Sequence, residues 1–188
     1  MSAPEGIVLA DCRADIVEVA TFRDRAADLQ RLTAERGLRL PAPGSIEARS
    51  GRLALNVRPG RWLLLAPPAP PDESAGHWRE MCGGYAAVVD LSAALAAFFL
   101  TGSQVGGMLA RACRLDLDAG AFPAGSAAAT IMVQVPAILA RLTPGMLLLT
   151  PATTARHLRE WLVASSKPFG LALAADATVS ALWGDGST

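Results

Sequence analysis

The feature that most constrains this chain is its longest apolar run, AAVVDLSAALAAFFL at residues 86–100, which Asp90 and Ser92 interrupt. A membrane-spanning helix needs about 20 unbroken apolar residues, and this run falls short. It divides instead into two short apolar segments, YAAVVDLS and LAAFFLTG. Each has strand length and β-branched or aromatic content, so two buried strands are expected, joined at Asp90–Ser92. Side chains alternate between sheet faces, so Phe98 and Phe99 should point opposite ways, with both faces covered.

The same reading extends along the chain. Residues 1–14 are expected to be a lead-in. DIVEVAT alternates as a strand does, and TFRDRAADLQRLTAERG places Phe22, Ala26, Leu29 and Leu32 at helical spacing before Gly37. RLPAPGS is a loop. RLALNV and RWLLLAP form a hairpin about Arg58-Pro59-Gly60. DESAGHWREMCGG is a helix with Trp78, Met81 and Cys82 on its apolar side, followed by the strand that ends at Asp90. The order is strand, helix, strand, strand, helix, strand, that of a ferredoxin-like β-α-β-β-α-β unit.

After Asp90 the order starts again. LAAFFLTG is a strand, and SQVGGMLARAC is a helix capped by Ser103. AAATIMVQVP and AILARL are strand material broken at Pro136, and MLLLT follows the turn TPG. PATTARHLREWLVASS is a helix with Leu158, Trp161 and Leu162 inward, and GLALAADATVSALW supplies a last strand. The expected fold class is α+β, built from two ferredoxin-like units at residues 15–91 and 92–183, with a tail at 184–188. The glycine pair Gly106–Gly107 costs its helix roughly 1 kcal/mol per residue relative to Ala, which predicts close backbone packing there.

Seventeen basic residues balance seventeen acidic ones, with no basic run. Nucleic-acid binding therefore lacks its electrostatic footprint, and low self-repulsion suits a chain that lives in an assembly. Three scattered cysteines, Cys12, Cys82 and Cys113, argue for a reducing compartment. The start has no basic, apolar leader pattern, so a cytoplasmic protein, not bound to a membrane, is expected.

Chemistry-bearing patterns are sparse. No phosphate loop, dinucleotide fingerprint, nucleophile elbow or HExxH stands in the sequence. His77 and His157 fall on charged helix faces. Cys113 lies beside Arg114 but also at an apolar helix end, and burial is its expected state. Asp90 is expected to accept backbone N–H bonds in the turn after its strand. No catalytic, cofactor-binding or metal-ligating residue is assigned. Core packing is the default for the tryptophans, and Trp62 and Trp183, next to a turn and the tail, are the candidate interface residues.

Several short motifs in order carry a resemblance. They are Asp90–Ser92, the Gly102 turn, Leu109–Cys113, Leu115–Leu117 and Ala121–Gly125, preceded by LRLPAPGS and VRPGRWLLLAP and followed by HLREWL. Across roughly residues 29–165 the chain resembles the gamma subunit of heterotetrameric sarcosine oxidase. It departs at Arg58-Pro59, where that family often has Gly-Pro, and at Thr150–Ala152, where it often has Arg-Ser. The resemblance implies the fold of the folate-binding domain of aminomethyltransferases. It also implies a non-catalytic subunit without a cofactor of its own, with alpha, beta and delta subunits as partners. FAD, FMN, NAD and tetrahydrofolate would be held by those partners. The alternatives are a stand-alone folate-binding or one-carbon-transfer protein, and a homo-oligomeric scaffold.

Overall fold

The computed structural model describes residues 6–182. In chain order the elements are β1 (Ile7–Arg13), β2 (Asp15–Thr21), α1 (Ala26–Glu35), β3 (Ser45–Arg49), β4 (Arg52–Arg58), β5 (Arg61–Ala66), α2 (Glu73–Cys82) and β6 (Ala86–Asp90). Then come β7 (Leu95–Thr101), α3 (Val105–Leu109), β8 (Ala127–Met132), β9 (Val135–Arg141), β10 (Gly145–Pro151), α4 (Ala152–Ser166), β11 (Leu171–Leu173) and β12 (Ala177–Thr178). A seven-stranded sheet runs β11-β1-β7-β10-β9-β8, with β12 also pairing with β1, and a five-stranded sheet runs β3-β4-β5-β2-β6. The smaller sheet is antiparallel throughout. The larger departs from that only where β11 and β12 lie parallel to β1.

The two sheets share a core. Cys12, Ala97, Phe99, Leu147 and Leu149 of the larger pack against Ile16, Leu53, Leu55, Leu63 and Leu65 of the smaller. Their other faces carry helices. Phe98, Leu100 and Leu148 meet Val105, Met108, Leu158 and Leu162, while Val17, Val19, Trp62 and Leu64 meet Leu29, Ala75 and Cys82. Phe98 and Phe99 do point to opposite, covered faces, because adjacent strand residues alternate. The result is α+β, with the layers helix, sheet, sheet, helix.

The strongest correction concerns the expected lead-in at 1–14. Ile7–Arg13 is a strand inside the larger sheet, antiparallel to β7 from Val8 opposite Thr101 to Cys12 opposite Ala97. Burial of Ile7, Leu9 and Ala10 explains its order. At Ala14 the chain leaves that sheet, and Asp15 begins the other. The stretch 92–183 therefore does not build its sheet alone, since β1 stands between β7 and β11.

Other expectations change in detail. Residues 45–49 form an additional edge strand on β4. β6 is an edge strand, with Val89 47% exposed, instead of a buried one. Asp24, at φ 65, delays the first helix to Ala26 and leaves Phe22 49% exposed. The break between β8 and β9 falls at Val133–Gln134, both at positive φ in a two-residue turn, and not at Pro136, which sits within β9 opposite Ile131. α3 is only five residues long and its N-cap is Gln104. The last strand is two short pieces.

The predicted close approach at Gly106–Gly107 is also corrected. A Cβ at Gly107 would meet nothing within 4 Å, and one at Gly106 only the Leu117 carbonyl oxygen at 3.9 Å. The tight crossing lies at the end of β7. There a Cβ at Gly102, whose φ is +126°, would collide with the Gly6 carbonyl, and one at Gly145 with the Leu100 carbonyl.

Candidate functional site

Most side chains singled out in the sequence are structural. Asp90 is exposed, and its Oδ1 accepts the Ser92 N–H at 2.8 Å. The Ser92 hydroxyl and this N–H hold its carboxyl below the usual carboxylate range. Ser92 Oγ accepts the Ile16 N–H at 3.0 Å, and the Leu91 N–H donates to the Ile16 carbonyl at 2.7 Å. The Asp90–Ser92 turn thus ties the start of β2 to the link between the sheets. Cys113 is half-buried against the core, and its backbone pairs with that of Met132 in an isolated antiparallel β-bridge. His77 and His157 are exposed on their helices.

Burial drives the other two thiols away from reactivity. Cys12 is pushed up from 9.0 to about 12 by desolvation. Cys82 is pushed up to about 11 by desolvation, opposed by the charge of Arg36. Neither supplies a thiolate near neutral pH. Trp62, a candidate interface residue, is 2% exposed, and its indole N–H donates to the Pro41 carbonyl at 2.9 Å. It is a core residue, because its position on β5 faces α1 and α2. Trp183, the other candidate, lies outside the described residues.

A 460 Å³ cleft with an apolar floor lies on the helix side of the smaller sheet, within the usual size range of ligand pockets. Val17, Ala54, Leu64 and Leu40 form its floor and Trp78 one wall. It exists because α1 and α2 do not close over the middle of β4 and β5. One end is acidic. There Asp15 Oδ2 accepts Ser74 Oγ at 2.7 Å and the Ala69 N–H at 3.3 Å. The other end carries Arg39, Arg49 and Arg52.

Local chain geometry gathers these arginines. Ser50 and Gly51, at φ 50 and 71, make a two-residue hairpin turn that sets Arg49 directly opposite Arg52. Arg49 Nη1 then reaches the Gly37 carbonyl at 2.8 Å, bringing the turn toward the segment that bears Arg39. The grouping of these three arginines is not among the expectations from the sequence. The Ser-Gly pair between Arg49 and Arg52 was the available signal, since that dipeptide marks a turn and a turn sets its flanks face to face. Among the described residues no group of three or more His, Cys, Asp or Glu side chains stands in metal-holding geometry. No helix among them is long and apolar enough to cross a membrane.

No family profile matches this sequence, and no curated protein matches it in sequence. A chain of the heterotetrameric sarcosine oxidase from Corynebacterium sp. U-96, solved in complex with pyrrole 2-carboxylate, superposes with a TM-score of 0.78 at 23% identity. The match covers 92% of this chain and 89% of that one. This chain has the fold of a sarcosine oxidase chain. The aminomethyltransferase T of the glycine cleavage system from Bartonella henselae follows, with a TM-score of 0.62 and 15% identity over 89% of this chain. The match covers 47% of that protein, so the shared fold is about half of the transferase.

Proposed function

We propose that this chain is a small, non-catalytic, gamma-type subunit of a heterotetrameric flavoenzyme of the sarcosine oxidase kind. The observation that carries the reading is the near end-to-end match with one chain of such a complex, the two being of nearly equal length. The motifs from Asp90 to Gly125 support it independently. On this reading the partners are alpha, beta and delta subunits in the cytoplasm. They hold FAD, FMN, NAD and tetrahydrofolate, none of which is assigned to this chain. The complex oxidatively demethylates sarcosine to glycine, with hydrogen peroxide and a one-carbon unit as the other products, and this chain supports assembly of the catalytic subunits. The reading also takes each half as a ferredoxin-like unit. The order β4-β5-β2-β6 in the smaller sheet and β9-β10-β7 in the larger supports that, with β1 inserted before the closing strand β11.

The test is co-expression with the large and small subunits, with and without this chain. The expected outcome is a complex that contains this chain and loses assembly or sarcosine turnover when it is omitted. Equal assembly and equal turnover without it would overturn the proposal. The match to a folate-dependent transferase keeps one rival in view, a stand-alone tetrahydrofolate binder. Calorimetric titration of the isolated chain with tetrahydrofolate separates the two, since tight one-to-one binding would favour the rival.

A further inference from the structure

We infer that the cleft between α2 and the β3–β4 hairpin is a binding site for a small aromatic or otherwise flat apolar carboxylate, with its anionic group on Arg39, Arg49 and Arg52. The inference does not depend on the proposed subunit role.

The register of the sheet lines up the charges of the cleft. Asp15 pairs with Ala66, and Leu65 with Leu53, so Arg52 lies opposite Ala66; Arg49 in turn lies opposite Arg52. These four residues form one cross-strand row, on the same face as Ala54 and Leu64. Strands lie about 4.8 Å apart, which puts the Asp15 backbone roughly 10 Å from that of Arg52. The row is acidic at one end, apolar in the middle and basic at the other.

The two charged ends differ in how they are satisfied. Asp15 is held by Ser74 and the Ala69 N–H. No guanidinium of the basic end has a carboxylate within ion-pair distance among the described residues. Arg49 bonds only the Gly37 carbonyl, and the side chains of Arg39 and Arg52 have no hydrogen-bond partner there. Three like charges gathered at one rim repel one another, and an anion relieves that. A guanidinium's planar donor fork fits a carboxylate with two parallel hydrogen bonds.

The rest of the cleft selects the body of the ligand. Ala54 and Leu64 present small and branched apolar surface, and the half-buried indole of Trp78 offers a flat wall. A ring lying on this floor displaces water from apolar surface while its carboxylate reaches the rim. Glu47, opposite Ala54 on the same face, is the one carboxylate close to that end. It limits affinity and sets a preference for a single anionic group.

The experiment titrates the full chain with naphthalene-2-carboxylate and with the matching amine, 2-naphthylmethylamine, followed by calorimetry and tryptophan fluorescence. The carboxylate should bind one-to-one with a Kd below about 1 mM, and the amine at least about tenfold more weakly. Arg39→Gln and Arg52→Gln, both on the exposed rim, should each weaken carboxylate binding about tenfold. Glu47→Gln should strengthen it about threefold. Ala54→Trp, which fills the floor, should abolish binding, and a thermal melt of each variant verifies the fold. Equal binding of acid and amine, absence of saturable binding, or a Kd that Arg39→Gln and Arg52→Gln leave unmoved would each overturn the inference.

Discussion

The two helix-bearing faces of the molecule are built on the same plan but are covered at different places. On the larger sheet the 15-residue α4 lays Leu158 and Leu162 over Phe98, Leu100 and Leu148. Leu117 and Phe122, from the loop after α3, join the same core. On the smaller sheet, α1 and α2 have ten residues each, and Leu29, Ala75 and Cys82 cover only part of the surface that β2, β4 and β5 offer. Both faces keep a recess: one of about 590 Å³ beside α3, among Gly106, Leu117 and Met146, on the first, and the 460 Å³ cleft over Ala54 and Leu64 on the second. A helix pair too short to span its sheet leaves a recess with an apolar floor and a polar rim, which is the composition a ligand site needs.

The sharpest test of the larger sheet is Gly102→Val. Its backbone has φ +126°, and the new Cβ would strike the Gly6 carbonyl. Strain and collision together should cost about 3 kcal/mol or more, read as a much lowered melting temperature or loss of soluble protein. A variant that melts like the parent would show that β1 and β7 are not locked together there.

A matched pair compares the faces directly. Ala137→Leu adds three carbons at a position 4% exposed in the core and should destabilise by about 1–3 kcal/mol in denaturant titration. Ala54→Leu makes the same addition at the open cleft and should change stability by less than about 0.5 kcal/mol. Equal costs would mean that the cleft is not open in solution.

Between the sheets, Cys12 makes stability depend on alkaline pH. Its pKa is raised from 9.0 unfolded to about 12 folded, so the native state holds the proton more firmly. The stabilisation is complete below pH 9.0 and is lost as pH rises from there toward 12. Between about pH 8 and 10.5 the parent should lose about 1–2 kcal/mol more than Cys12→Ala. Parallel pH profiles would remove Cys12 from the shared core. The smallest effect belongs to Gly107→Ala. It lies in open space and should be neutral or stabilising by up to about 1 kcal/mol. A clear destabilisation would restore the close packing expected from the sequence.

Legibility followed the range of the interaction. Strands such as Arg61–Ala66 and Leu95–Thr101, and the helix over 152–166, were readable because their apolar period is local. The motifs around Asp90–Ser126 were readable as a resemblance, and the fold match agrees with it. Ile7–Arg13 was not readable as part of the second half, because its partner β7 begins more than eighty residues later. Trp62 stood beside a turn in the sequence, and only the packing of α1 and α2 shows that it is buried. The arginine group was invisible for the same reason: Arg39 joins Arg49 and Arg52 only once the hairpin and the preceding loop pack together.

By itself, then, the sequence determined the α+β class, the repeated order of elements, the opposed burial of Phe98 and Phe99 and the backbone-bonded Asp90, all consequences of periodicity and turn chemistry within a few residues. Tertiary structure alone decided the place of β1, the glycines at which backbones touch, and the cleft with its three arginines. Those depend on which surfaces meet, and contact between segments far apart in the chain leaves no periodic trace in either one.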